Sequence, residues 1–431
     1  MFSPDRRSRR STALGWLVRL PLTLATACGL AWAGTVPVAG FPIPVPAAAV
    51  PTAAPLGPHA VGVHVQTFTY QDRPMRITTW YPATATARDP YVTPTGITGA
   101  AIEDAPADRS GGPYPLIVFS PGLGTPGDGY YFFTQNLASE GYVVIGIDHW
   151  DAAATTPGWS LADIPTLLSG IPTRNMSDSV FSAFSDWFRR TDFGLTYRAQ
   201  ETAFALDAAL ARNSDPASPL AELIDPDRIG MSGHSLGATY SLFTGGMSIR
   251  CEATDTAQRA DANSGAMARI DPCTLPSVRA LTDPAAMRDP RIKAILAMAP
   301  PTFIGQSNIA RSAADLRIPV MFINGDDPYM ETPRDPQWAI YSAAAGPKYF
   351  VEIKNTDHAV ACDTVSLNPL LRSLLPSRNH QPAEFAAKAD AYMRYSAAFF
   401  NSYLKAGGMA DTVLTGPPSD QVVAVERTFS S

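Results

Sequence analysis

Gly233-His234-Ser235-Leu236-Gly237 is the run in this chain most able to do chemistry. A serine hydroxyl is a weak nucleophile until a base takes its proton. The pattern G-x-S-x-G sets serine on a sharp strand-to-helix turn, where small residues on either side let strand and helix come close. The flanks supply that context: Ile229-Gly230-Met231 reads as a strand, and Leu236 to Phe243 as a helix. Ser235 is therefore the candidate nucleophile, and a purely structural glycine turn is the alternative. Its partners should follow in the chain order serine, acid, histidine. Only His358 and His380 lie downstream. His358, in Thr356-Asp357-His358-Ala359, directly follows the last expected strand, whereas His380 sits in the polar loop Pro376–Pro382. His358 is the candidate base. His149 follows a strand but precedes the serine, so it is expected to line the cleft without joining the triad.

The acid orients the imidazole and stabilises its charged form. Asn324-Gly325-Asp326-Asp327-Pro328 follows the strand before the histidine strand. Asp327, with a proline after it, is preferred to Asp326. Asp357 neighbours His358, but adjacent side chains of an extended loop point apart. Attack on a carbonyl creates an oxyanion that needs two backbone N–H donors. One is Leu236, the residue after the nucleophile. The other belongs to the turn Ser120-Pro121-Gly122-Leu123-Gly124, whose glycines let the backbone approach a substrate. Pro121 has no N–H, so the expected donor is Leu123.

Those residues need a scaffold, and the apolar runs provide one. Val63–Tyr70 and Met75–Tyr81 read as a hairpin. Residues 82–113, rich in Pro, Gly, Thr and Asp, read as a long loop. A rhythm then begins: apolar runs at 115–120, 142–148, 228–232, 292–299, 319–324 and 349–353 alternate with helical stretches before Gly141, over 194–212, from Ser235, and over 383–406. Short apolar strands between helices imply a mostly parallel sheet covered on both faces, joined by right-handed crossovers. The fold class is thus α/β. Two stretches break the rhythm. Residues 152–193 carry Trp159, Leu161, Phe181, Trp187 and Phe188 and are a candidate lid. Residues 247–289 are a polar excursion holding Cys251 and Cys273.

The chain has 431 residues, of which 45% are hydrophobic and 17% charged, a globular composition. Five arginines against Asp5 alone make residues 1–33 basic, so the formal charge of −6 leaves the remainder at about −10. Such an acidic body is a poor partner for nucleic acid. Arg6 to Arg10, the apolar stretch Ala13–Ala33 and the small residues of Ala31-Trp32-Ala33 form an export signal, with cleavage expected before Gly34. A membrane anchor, or lipid attachment at Cys28, are the alternatives. Residues 34–60 read as an extended, poorly ordered Pro/Ala linker, 61–410 as the catalytic domain and 411–431 as a tail. After export Cys251, Cys273 and Cys362 remain, with three ways to pair two of them. None has metal-ligand spacing.

Pro115 to Gly124, Leu137 to Val144, Asp148-His149-Trp150-Asp151, Asp227 to Gly237 and Asp289 to Ala294 resemble the platelet-activating-factor acetylhydrolase and dienelactone-hydrolase-like branch of the α/β-hydrolases. The resemblance spans roughly residues 61–405. It implies an extracellular ester hydrolase that needs no metal or other cofactor, with Leu123 and Leu236 as oxyanion donors. The chain departs from that branch in three ways. Pro121 stands where a histidine usually precedes Gly122. The turn Ala299-Pro300-Pro301-Thr302, where the acetylhydrolases carry the acid, has no carboxylate, which puts the acid after Asn324-Gly325. Dienelactone hydrolases proper use a cysteine nucleophile where this chain has Ser235.

The expectation is a secreted, monomeric serine hydrolase acting on a small-molecule or lipid ester through an acyl-enzyme, touching a membrane only through its signal segment. A lipid or polyester hydrolase, an acyltransferase and a peptidase use the same triad. A non-catalytic binding protein on this fold would be expected to have a broken one.

Overall fold

The computed structural model describes residues 32–38, 41–46, 48–152, 196–250, 283, 285–301, 311–326, 334–369, 372, 382–405 and 412–428. Strands β1 (Trp32–Val38) and β2 (Phe41–Pro46) pair with each other antiparallel. The remaining strands are β3 (Val50–Pro51), β4 (Ala60–Tyr70), β5 (Arg73–Ala83), β6 (Pro90–Val92), β7 (Ile97–Glu103), β8 (Tyr114–Ser120), β9 (Val143–Ile147), β10 (Ile224–His234), β11 (Ile292–Met298), β12 (Val320–Gly325), β13 (Lys348–Ile353) and β14 (Val422–Thr428). They form one 12-stranded sheet in the order β14-β13-β12-β11-β10-β8-β9-β5-β4-β7-β3, with β6 paired to β7. From β13 through β10 and β8 to β9 every pairing is parallel. The β4–β5 hairpin, β5 on β9, and β14 on β13 are antiparallel.

The central strands read as unbroken apolar runs because both their faces are covered. All seven residues of β8 and all five of β9 are buried. One face packs against α2 (Tyr197–Ser214), α3 (Leu236–Gly245) and α4 (Arg334–Ala343) through Leu206, Tyr240 and Ile340. The other packs against α1 (Tyr131–Ser139) and α6 (Pro382–Leu404) through Phe132, Phe133, Tyr392, Phe399 and Phe400. Two short helices, α5 (Asp363–Leu367) and α7 (Thr412–Thr415), and two single 3-10 turns, Gly127–Tyr130 and His358–Ala361, complete the described elements.

Three stretches differ from the sequence expectation. The loop expected over 82–113 contains β6 and β7, which carry the sheet beyond the hairpin. The expected linker is joined to the domain from Val50 onward: Val50 N donates to Gly96 O (2.8 Å), Thr52 N to Thr98 O (2.8 Å), Leu56 N to Asn136 Oδ1 (2.9 Å) and His59 N to Ser139 O (3.0 Å). The tail supplies β14, which closes the edge of β13. Each of these segments is short or Pro-rich, and long-range pairing rather than local pattern holds it. The candidate lid, apart from Ala152, and Cys251 and Cys273 of the polar excursion lie outside the described residues.

Candidate active site

Ser235 stands alone between β10 and α3, at φ 53° and ψ −125°, a region nearly closed to residues with a side chain. Both flanking glycines are needed. A Cβ on Gly233 would lie 2.5 Å from the backbone of Gly237, and a Cβ on Gly237 would run into the carbonyl of Ser120. The Ser235 N–H donates to Met298 O at the end of β11 (2.9 Å), so the neighbouring strand holds the elbow. That N–H is thereby used. Leu236 opens α3, and first-turn N–H groups have no acceptor inside their helix.

His358 begins a tight turn, His358–Ala361, just after β13. Buried Asp357 caps it, its Oδ1 accepting from Ala359 N at 3.0 Å, and Ser366 Oγ donates to Ala359 O at 2.7 Å. The His358 ring lies against that of His234, with centroids 4.5 Å apart. His234 immediately precedes Ser235, so this contact brings the candidate base to the nucleophile's turn. Burial, and then the neighbouring His358, hold the pKa of His234 well below the ordinary imidazole value. A neutral His234 accepts from Tyr130 Oη at Nδ1 (2.8 Å), and the same hydroxyl accepts from Gly122 N (2.8 Å).

Asp326 directly follows β12, and its N–H donates to Ile353 O of β13 at 3.1 Å. The turn after β12 therefore lies beside the strand that leads to His358. The Asp326 side chain is exposed and within electrostatic reach of Lys388 on α6. Asp327 and His380 lie outside the described residues.

The turn Ser120–Gly124 packs beside the elbow. A Cβ on Gly122 would sit 3.5 Å from that of Ser235. Its N–H groups can be followed one by one. Gly122 N donates to Tyr130 Oη, Gly124 N to Asp151 Oδ2 (3.0 Å), and Thr125 N to Gly122 O (3.2 Å). Pro121 has none. Leu123 is left, among the described residues, as the one N–H of this turn that no protein acceptor takes.

Two expectations change. His149 does not line the cleft. It is fully buried, its Nε2 2.8 Å from Ser120 Oγ and its Nδ1 2.8 Å from Glu201 Oε2. Burial, and then the charge of Arg198, lower its pKa, so the neutral ring donates to Glu201 and accepts from Ser120. Cys362 is a buried free thiol donating to Gly129 O (3.2 Å), its pKa pushed up to about 12 by burial. Of the three pairings, only Cys251 with Cys273 is left open.

Sequence reading missed Arg198 and Glu201 on α2, both fully buried. The signal was present: they stand three apart on the face that also buries Ala205 and Ala209, and a charge on an apolar stripe is buried only with partners. Among the described residues no group of His, Cys, Asp and Glu is placed to hold a metal ion.

The arrangement of sheet, elbow and returning histidine loop is that of the α/β-hydrolases. A ferulic acid esterase from Streptomyces cinnamoneus is similar in fold, with a TM-score of 0.52 and 21% identity over 88% of this chain and 99% of that one. The family model for platelet-activating factor acetylhydrolase, isoform II, matches residues 92–163, a stretch that includes β8, the Ser120–Gly124 turn, α1 and β9. The match covers that stretch alone, and the likeness to the solved structure is one of fold. No curated protein matches it.

Proposed function

We propose that this chain is a carboxylic ester hydrolase in which Ser235 is the nucleophile, His358 the general base and Asp327 the acid that orients it. His358 takes the Ser235 proton as Oγ attacks the ester carbonyl. The N–H groups of Leu123 and Leu236 receive the oxyanion. The C–O bond to the leaving alcohol breaks as His358 returns the proton to it. Water, deprotonated by the same imidazole, then releases the acid from Ser235. Export through the N-terminal segment is part of this reading, and the substrate is a small-molecule or lipid ester.

The observation that carries the reading is the backbone of Ser235. A non-glycine residue at φ 53° and ψ −125°, with Gly233 and Gly237 packed to contact around it, is costly unless the raised hydroxyl is used. The names of the matched family and of the similar structure, an acetylhydrolase and an esterase, agree with ester cleavage. The test is hydrolysis of p-nitrophenyl acetate, butyrate and a long-chain ester by the wild type and Ser235→Ala. The variant should lose at least about 1,000-fold in kcat while keeping its fold. Undiminished turnover in Ser235→Ala would remove the mechanism.

A further inference from the structure

The buried pair Arg198 and Asp151 touches neither Ser235 nor His358, yet it grips the turn that carries Leu123. Arg198 has no exposed surface. It binds Asp151 with two bonds, Nε to Oδ1 at 3.0 Å and Nη2 to Oδ2 at 2.5 Å. Burial would favour neutral forms of both groups. Each holds the other charged, and the Asp151 pKa stays below the ordinary carboxylate value.

From that anchor the guanidinium reaches the turn. Nη1 donates to Pro121 O (2.6 Å) and to Ser120 Oγ (3.3 Å), and Nη2 to Gly122 O (3.4 Å). Asp151 Oδ2 takes Gly124 N, and its Oδ1 takes Tyr197 Oη at 2.7 Å. A trans peptide is planar, with C=O and N–H pointing in opposite directions. Turning Pro121 O toward Arg198 therefore turns Gly122 N the other way, onto Tyr130. Turning Gly122 O toward Arg198, and toward Thr125 Oγ1 at 2.8 Å, turns Leu123 N away from both, free for a ligand.

We propose that Arg198, charged against Asp151, is a positioning residue: by holding two carbonyls of the Ser120–Gly124 turn it fixes the direction of the Leu123 N–H at which the oxyanion is received. The inference rests on the hydrolase reading above. It assigns a role to α2 that the triad alone does not require. Pre-aimed donors stabilise the charge that develops in the transition state more than the neutral carbonyl of the substrate. Loss of the grip should therefore appear in kcat and not in KM.

The experiment uses the full exported chain with Arg198→Lys and with the double variant Arg198→Gln/Asp151→Asn, which leaves no unpaired buried charge if the single change fails to fold. Three quantities are read: kcat and KM on p-nitrophenyl butyrate, Ki for butylboronic acid, and the thermal melt. The boronic acid adds to Ser235 Oγ, forming a B–O bond as His358 takes the proton, and presents a tetrahedral anion to the same donors. A folded variant should lose about 10- to 100-fold in kcat with KM within about threefold, and boronate affinity should fall in step. A folded variant with wild-type kcat and Ki, or with KM alone raised, overturns the assignment while leaving the hydrolase reading intact. A wild type that neither cleaves any ester nor binds the boronic acid removes both.

Discussion

Ser235 holds a backbone conformation that isolated residues avoid, and the molecule keeps it there with an N–H bond to β11 and two glycines without room for a methyl group. If that conformation is strained, glycine at 235 should relieve it. Ser235→Gly is expected to melt above Ser235→Ala by about 1 kcal/mol of stability, both being inactive. Equal melting points would mean the elbow stores no strain. At this scale the candidate site could be read from the sequence where chemistry and chain order coincide. Ser235, His358 and Leu123 could be picked out because a motif, a position after a strand, or the absence of an N–H on Pro121 singles them out. Arg198 and Glu201 could not be picked out by motif, since their roles depend on partners at Asp151, His149 and the Ser120–Gly124 turn, which only the fold brings together.

The elements that position these residues are of two kinds. β8 to β13 and the helices beside them were readable because burial on both faces leaves uninterrupted apolar runs between helical stretches. β6, β7 and β14 lie at or near the sheet edge, where partner strands rather than local pattern decide the structure. The α5 segment after His358 has its own control. Asp363 is fully buried, accepting from Thr52 Oγ1 and from Phe132 N at 3.0 Å. Burial outweighs those bonds and pushes its pKa up to about 7, from 3.8 for an unperturbed aspartate. The folded state thus holds this proton more tightly than the unfolded chain. The resulting stabilisation is complete below about pH 4 and is lost as pH rises through about 7. Asp363→Asn keeps an acceptor and a donor at the site without the charge. Thermal melts from pH 5 to 8 should show the wild type falling relative to Asp363→Asn. Parallel profiles would show that Asp363 does not hold its proton in the folded state.

Across the whole molecule, the chain from Val50 to His59 belongs to the domain. It links β7, α1 and, through Thr52 and Asp363, the loop that carries His358. A chain beginning at Ala48 should melt with one beginning at Gly34. One beginning at Ala60 loses all of these bonds and should be less stable by on the order of 5 kcal/mol, at about 1 kcal/mol for each net hydrogen bond. Equal melts would show the segment to be dispensable. The alternation of strands and helices in the sequence pointed to an α/β fold with a mostly parallel sheet, and the sheet order bears it out, because a parallel sheet can be wound in few ways. The proposed mechanism turns on one atom, the hydroxyl oxygen of Ser235. Its most direct test is to treat the folded protein with a fluorophosphonate, which loses fluoride to an activated serine, and to map the adduct by peptide mass spectrometry. One phosphonyl group is expected, on the peptide containing Ser235, with ester turnover lost in proportion. An adduct on another serine, or full turnover with Ser235 modified, would contradict that mechanism.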